Sequence, residues 1–139
     1  MTDGGGDPTG APSWGALFAA AKHRIGDEAV ARWLCEEASG ADELASVLGA
    51  PATAPMVAHL DAMIGRHLAG EPLAYVLGHW SFRHIEVAVD RRVLIPRPET
   101  EVVAGVAIEL ARSLLRPVTI ADLGTGSGAI GLAMAGVAA

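Results

Sequence analysis

Apolar positions along the chain recur at helical spacing first and at alternating spacing afterwards. Trp14, Leu17, Phe18, Ala21 and Ile25 share one face of a predicted helix, with Ser13 as its N-cap. Asp27 is placed to cap a second helix that carries Val30, Trp33 and Leu34 and stops at Gly40. A short third helix holds Leu44, Val47 and Leu48 before Gly49. Thr53 to Gly70 reads as a fourth, with Met56, Leu60, Met63, Ile64 and His67 at helical spacing. Pro55 suits its first turn and Gly70 its end. The result is a helical bundle of roughly 60–65 residues, near the size at which a single core is marginal.

The period changes after Gly70-Glu71-Pro72 and a short helical or turn piece that runs through Leu77. Ile85, Val87 and Val89 alternate with Glu86, Ala88 and Asp90, as in a half-buried strand. Trp80 and Phe82 are candidates to pack on a neighbouring strand. Asp90-Arg91-Arg92 reads as a turn and Val93-Leu94-Ile95 as a second extended piece, which predicts a β-hairpin within 79–96. Pro96-Arg97-Pro98 forces extended backbone. A helix is expected from about Thr100 to Leu115, with Val103, Val106, Leu110 and Leu114 on one face. Arg112 and Arg116 complement the dipole at its C-terminal end, and Pro117 stops it. Val118 to Leu123 reads as the first strand of a parallel sheet, and Ala129 to Ala135 as a helix of small residues.

Composition fits this picture and narrows the function. With 51% hydrophobic and 19% charged residues, the chain is globular in type. Residues 1–12 are Gly/Pro/Asp-rich, which reads as a flexible tail and not as a signal peptide. The net charge of −6 is uneven: residues 1–75 carry 10 acidic and 4 basic side chains, and residues 76–139 carry 6 of each. An acidic first half argues against direct nucleic-acid binding there. Cys35 is the single cysteine and excludes an intrachain disulfide. The longest uncharged stretch, Leu123 to Ala139, is glycine-punctuated and short for a membrane span, so the reading is a cytoplasmic protein with no membrane partner.

The chemistry concentrates in Asp122-Leu123-Gly124-Thr125-Gly126-Ser127-Gly128. Strand, glycine loop and helix start are how an α/β protein builds a nucleotide-sized pocket. Two spacings fit. Gly126, Gly128 and Gly131 satisfy G-x-G-x-x-G for dinucleotides, whereas Asp122 followed by Gly124, Gly126 and Gly128 satisfies the acidic-x-G-x-G-x-G pattern of S-adenosylmethionine (SAM) methyltransferases. Electrostatics favours the second. A carboxylate about 5 Å from a unit charge contributes roughly 3 kcal/mol at an effective dielectric near 20, attractive for the cationic sulfonium and repulsive for a pyrophosphate.

With this loop goes Val93-Leu94-Ile95-Pro96-Arg97-Pro98-Glu99-Thr100-Glu101. Together the two segments resemble the bacterial protein-(glutamine-N5) methyltransferases that modify peptide chain release factors. Gly70-Glu71-Pro72-Leu73-Ala74-Tyr75 is similar to that family's junction after its helical domain. The resemblance implies an α+β architecture in four parts. Residues 1–12 are a tail, 13–78 a helical substrate-recognition domain, and 79–96 a β-hairpin linker. Residues 97–139 are the start of a Rossmann-like SAM-binding methyltransferase domain. It implies SAM as cofactor and a release factor as protein substrate, methylated on the glutamine amide of its Gly-Gly-Gln motif. Asp122, Gly124, Thr125, Gly126, Ser127 and Gly128 match the cofactor loop, and Arg97, Thr100 and Glu101 match the element beside it. A structural role for that element is the alternative: Arg97 paired with a carboxylate, Thr100 capping the next helix, Glu101 in its first turn.

The family's Asn-Pro-Pro-Tyr run, which holds the substrate amide, does not occur in these 139 residues. No catalytic residue is therefore assigned within the chain, which reads as an incomplete, inactive amino-terminal piece. Its residues 97–139 are expected to be poorly ordered or aggregation-prone in isolation, because a lone parallel strand has no hydrogen-bonding partner. A non-catalytic release-factor-binding module and a dinucleotide-binding oxidoreductase fragment are the alternatives. His59 and His67 lie eight residues apart without metal-ligand spacing, and His79 and His84 flank a strand, so no metal site is expected. Ser127 lacks an evident base.

Overall fold

A computed structural model describes residues 10–114 and 117–136. The chain falls into two compact units that meet in sequence between Leu77 and Gly78. In class it is α+β: helices with one small antiparallel sheet. Residues 1–9 of the expected tail, Leu115 and Arg116 at the expected end of the long helix, and residues 137–139 lie outside the described residues.

The first unit holds α1 (Trp14–Ile25), α2 (Glu28–Ser39), a 3-10 turn at Leu44–Ser46, α3 (Ala54–Leu68) and α4 (Leu73–Leu77). Local chemistry sets most of these limits. The Ser13 hydroxyl accepts from the amide of Ala16 at 3.3 Å, and the Asp27 carboxylate accepts from Ala29 and Val30 at 2.9 and 3.1 Å. Such caps satisfy amide donors that a helix start leaves free. Gly26 and Gly40 end α1 and α2 in the left-handed conformation, at φ 78° and 69°. The remaining amides at the start of α1 go to the 48–52 segment: Trp14 donates to Ala50 and Gly15 to Leu48, at 3.1 and 2.8 Å. A Cβ on Gly15 would stand 3.1 Å from the Leu48 carbonyl oxygen, so this approach of two backbones needs glycine.

Trp14, Ala21, Ala31, Leu34, Cys35, Leu44, Leu60, Met63, Ile64 and Val76 form the buried core of this unit. The expected faces of α1 and α3 point into it, with Leu17, Phe18, Ile25 and Met56 half-buried at its rim. Trp33, placed by the helical pattern beside Leu34, is instead 44% exposed. Leu34, Cys35 and Ala38 take the interior of α2 and turn Trp33 outward.

Arg66, near the end of α3, makes the corner between α3 and α4. Its Nε and Nη2 donate to the two oxygens of Glu71 at 2.7 and 3.0 Å. Its Nη1 and Nη2 also donate to the carbonyls of Val76 and Tyr75 at 3.1 and 2.7 Å. Those carbonyls belong to the last turn of α4, where a helix lacks acceptor partners of its own. The Gly70–Tyr75 junction is thus built around one guanidinium.

Cys35 is completely buried. Burial pushes its thiol up from 9.0 to about 11, and the Glu36 carboxylate acts in the same direction. In native buffer at pH 8 the thiol should react with a disulfide reagent far more slowly than in denaturant, followed by absorbance. Rapid native labelling would mean that this core opens readily. An acid whose folded-state value is raised binds its proton more tightly in the folded chain. Its stabilising contribution is intact below pH 9.0 and declines as the pH rises towards 11.

The second unit begins with a hairpin, β1 (His79–Phe82) and β2 (Ile85–Ala88). The strands are antiparallel and pair His79 with Ala88, Trp80 with Val87, Ser81 with Glu86 and Phe82 with Ile85. Its members differ from those expected. Ile85–Val89 pairs with the preceding Trp80 segment, through a turn at Arg83-His84, and not with Val93–Ile95. The Asp90–Arg92 turn does form: Asp90 accepts from the Arg92 amide at 2.9 Å, and the Arg92 guanidinium holds the carboxyl down to about 2. It leads out of the hairpin and not into a second strand.

Next come α5 (Pro98–Ser113) and α6 (Ala129–Ala135). Helix α6 packs on α5 and on β2. Phe82, Val87, Ala104, Ile108, Ala129 and Ala133 are buried here. The face of α5 that carries Val103, Val106, Leu110 and Leu114, grouped by the sequence pattern, is exposed. The helix buries its small side, Ala104 and Ile108, against the elements present. Residues 117–122 pair with no described strand, so the expected parallel strand from Val118 is not formed. A strand gains its hydrogen bonds only from a neighbour, and no described strand pairs with it.

Candidate functional site

The Asp122–Gly128 loop owes its shape to three left-handed glycines. Gly124, Gly126 and Gly128 take φ values of 72°, 56° and 81°. A Cβ on Gly124 or Gly126 would meet nothing within 4 Å, so crowding by this protein does not explain these glycines. Their backbone conformation does, and it leaves the peptide face at both positions open. Over Gly128 the space is partly filled by Leu132, 3.5 Å from a Cβ position.

Asp122 closes the loop from beneath. Its Oδ2 accepts from the Thr125 hydroxyl at 3.0 Å and from the Gly131 amide at 3.1 Å. Gly131 is the third residue of α6, and the N-cap of that helix, Gly128, has no side chain to offer. A carboxylate nine residues earlier thus does the work of the missing cap and faces the positive end of the peptide dipoles. A Cβ on Gly131 would lie 3.0 Å from Oδ2, which ties glycine there to aspartate at 122. The Gly128 amide donates to the Thr125 carbonyl at 2.9 Å and completes the turn. Ser127 is half-buried and makes no hydrogen bond with a described residue.

The Arg97–Glu101 element forms the start of α5. Arg97 is its N-cap, at φ −94° and ψ 150°, as expected of a residue before proline. Pro98 takes the first helical position, so the helix begins two residues before the expected Thr100. Thr100 lies inside the first turn, its amide donating to the Arg97 carbonyl at 3.0 Å, and no side chain caps this end. The expected Thr100 cap is therefore replaced by an uncapped start at Arg97. Arg97 is exposed and forms no ion pair with a described residue. Among the described residues no hydrogen bond joins this element to the glycine loop; their link is the packing of α5 on α6.

Two arginines that sequence reasoning passed over hold these segments. Arg66 orders the Gly70–Tyr75 junction. From the hairpin turn, Arg83 donates through Nη1 to the Glu101 carbonyl at 2.8 Å. The alternation of Trp80 and Phe82 before Arg83-His84, and of Ile85 and Val87 after it, was the available signal for that turn. Among the described residues, no three His, Cys, Asp or Glu side chains are grouped to hold a metal ion. No described helix is long and apolar enough to cross a membrane.

An α+β chain with a helical first unit, a hairpin and a glycine loop closed by an aspartate therefore invites comparison with known proteins. Residues 13–78 match the family model described as the PrmC N-terminal domain. The release factor glutamine methyltransferase of Haemophilus influenzae is 44% identical over 80 residues, covering 55% of this chain and 27% of the relative. That of Gloeobacter violaceus is 40% identical over 124 residues, covering 86% of this chain and 42% of the relative. That of Streptomyces coelicolor is 47% identical over 75 residues, covering 52% and 26%. Over these stretches the chain is similar to the N-terminal portion of release factor glutamine methyltransferases. It spans between about a quarter and two-fifths of the length of these relatives.

Proposed function

We propose that this chain supplies the substrate-recognition domain (residues 13–78), the hairpin linker and the first cofactor-binding segment of a SAM-dependent methyltransferase acting on the glutamine amide of a peptide chain release factor. The observation that carries this reading is the carboxylate of Asp122 at the amide end of α6. In a dinucleotide site the positive end of the helix serves the pyrophosphate. Here that end is occupied by the protein's own anion, so a phosphate would meet like charge and a cationic ligand would not.

The glycine loop fits such a cofactor. Gly124 and Gly126 offer open backbone for close approach, while Thr125 and Gly131 hold Asp122 in place. Ser127 and Gly128, and on the other side Arg97, Thr100 and Glu101, complete the set of cofactor-side residues. On this reading the start of a Rossmann-like domain lies at 97–139. When bound, the cofactor supplies an electrophilic methyl group. An amide nitrogen is a poor nucleophile and must be oriented by hydrogen bonds. No residue of the chain is assigned that task, so its own roles are binding and positioning.

Calorimetry with SAM and with NAD on the purified chain tests the reading. Saturable SAM binding, with no NAD binding at the same concentrations, is expected. Binding of NAD in preference to SAM would overturn it and return the loop to the dinucleotide class. With radiolabelled SAM and a release factor, negligible methyl transfer by these 139 residues is expected. Stoichiometric transfer would show that the chain holds catalytic groups of its own, beyond binding and positioning.

A further inference from the structure

Between β1 and β2 the chain reverses in two residues, and the first of them, Arg83, takes φ 54°. It is the only described residue other than glycine with a positive φ. Tight hairpins favour glycine or asparagine in such conformations, and another side chain persists there only where its surroundings hold it. The Arg83 side chain reaches α5, where Nη1 donates to the Glu101 carbonyl at 2.8 Å. Its Nε is buried without a hydrogen-bond partner. One turn further along α5 stands Gly105, and a Cβ there would be 2.9 Å from Nη1. No positive φ requires this glycine, and the interior of a helix favours alanine. Three unfavourable choices thus meet at one contact: a left-handed arginine, an unpaired buried N–H and a mid-helix glycine.

We propose that Arg83 is a positioning residue for the cofactor-side element. Lying in the notch left by Gly105, its guanidinium fixes the first turn of α5 and, with it, Arg97, Thr100 and Glu101. That end of the helix has no side-chain cap, and the bond from Arg83 to the Glu101 carbonyl ties its first turn to the hairpin. The proposal rests on the reading of these three residues as part of the SAM site, but its structural half stands without that reading.

The test uses the full chain with Gly105→Ala, Arg83→Gly and the double variant. Gly105→Ala displaces only the flexible tip of Arg83 and improves helix propensity, so its Tm should equal or exceed that of the parent. Arg83→Gly relaxes the turn, and so folding is retained while the contact is lost. In both variants the amide resonances of Thr100 and Glu101 should move, and SAM affinity should fall at least threefold. In the double variant it should fall no further than in Arg83→Gly, because both changes remove one contact. Lower affinity at an undiminished Tm is what a purely structural role would not give. Parent-like affinity with unmoved resonances in both single variants would overturn the proposal. If the parent chain binds no SAM, the functional reading fails, and the resonances decide the clamp: movement in both variants supports it, and none overturns it.

Discussion

Arg66→Ala should destabilise the first unit by about 2–3 kcal/mol, an effect expected to exceed that of any other single surface substitution in it. The substitution removes a two-pronged bond to Glu71, whose side chain is only 9% exposed, and two bonds to the final carbonyls of α4. Each hydrogen bond to a charged group is worth about 1.5–3 kcal/mol, but nearly half of the arginine is in water, which screens it and keeps the total well below the sum. The larger cost lies in what remains: a nearly buried carboxylate without its counter-ion. For a unit of this size the loss corresponds to a fall in Tm of roughly 10–20 °C. Arg66→Lys should recover only part of it, since one ammonium cannot span both carboxylate oxygens and both carbonyls. Thermal unfolding followed by circular dichroism measures this; a change below about 0.5 kcal/mol, the scale of ordinary surface sites, would refute the role given to the corner.

Gly126→Ala should weaken SAM binding by roughly 5–30-fold and leave the fold in place. At φ 56° an alanine costs about 1–2 kcal/mol, and each 1.4 kcal/mol corresponds to a factor of ten in affinity. The methyl group would meet no protein atom within 4 Å, so nothing else in the chain resists it. An exposed loop can relax away from the strained conformation, and the melting temperature should therefore change little. Relaxation removes the shape on which binding depends. Gly136→Ala is the matched control, since Gly136 has φ −66° and its Cβ position makes only ordinary contact, 3.7 Å from the Leu132 carbonyl oxygen. Calorimetry should show loss at 126 and none at 136. Equal affinities for the two variants would mean that the loop does not form the cofactor site.

What the sequence made legible was local. Ser13, Asp27, Gly40 and Pro55 act within one or two turns of their own positions, and most limits of α1, α2 and α3 follow from them. Apart from the start of α5, placed at Thr100 and found at Pro98, the errors were non-local. Nothing in Arg83-His84 marks a turn by composition, so alternation alone could not say which neighbour Ile85–Val89 would pair with. The apolar stripe of α5 was correctly periodic, but burial depends on what stands opposite, and the described elements cover the Ala104 and Ile108 side. Asp122 stands out in the sequence for its charge. Its bonds to Thr125 and Gly131 show that it also builds the loop, which the glycine spacing alone does not reveal.

The closed core of the first 77 residues bears on how the protein is made. Their packing joins mainly helices adjacent in the sequence, and topologies of this kind fold in microseconds to milliseconds. Synthesis at about 5–20 residues per second adds residues 78–139 in roughly 3–12 s. The helical unit therefore completes its core once it clears the exit tunnel, while much of the glycine loop's own unit is still being polymerised. Folding is ordered in time by synthesis: the helical unit is finished first.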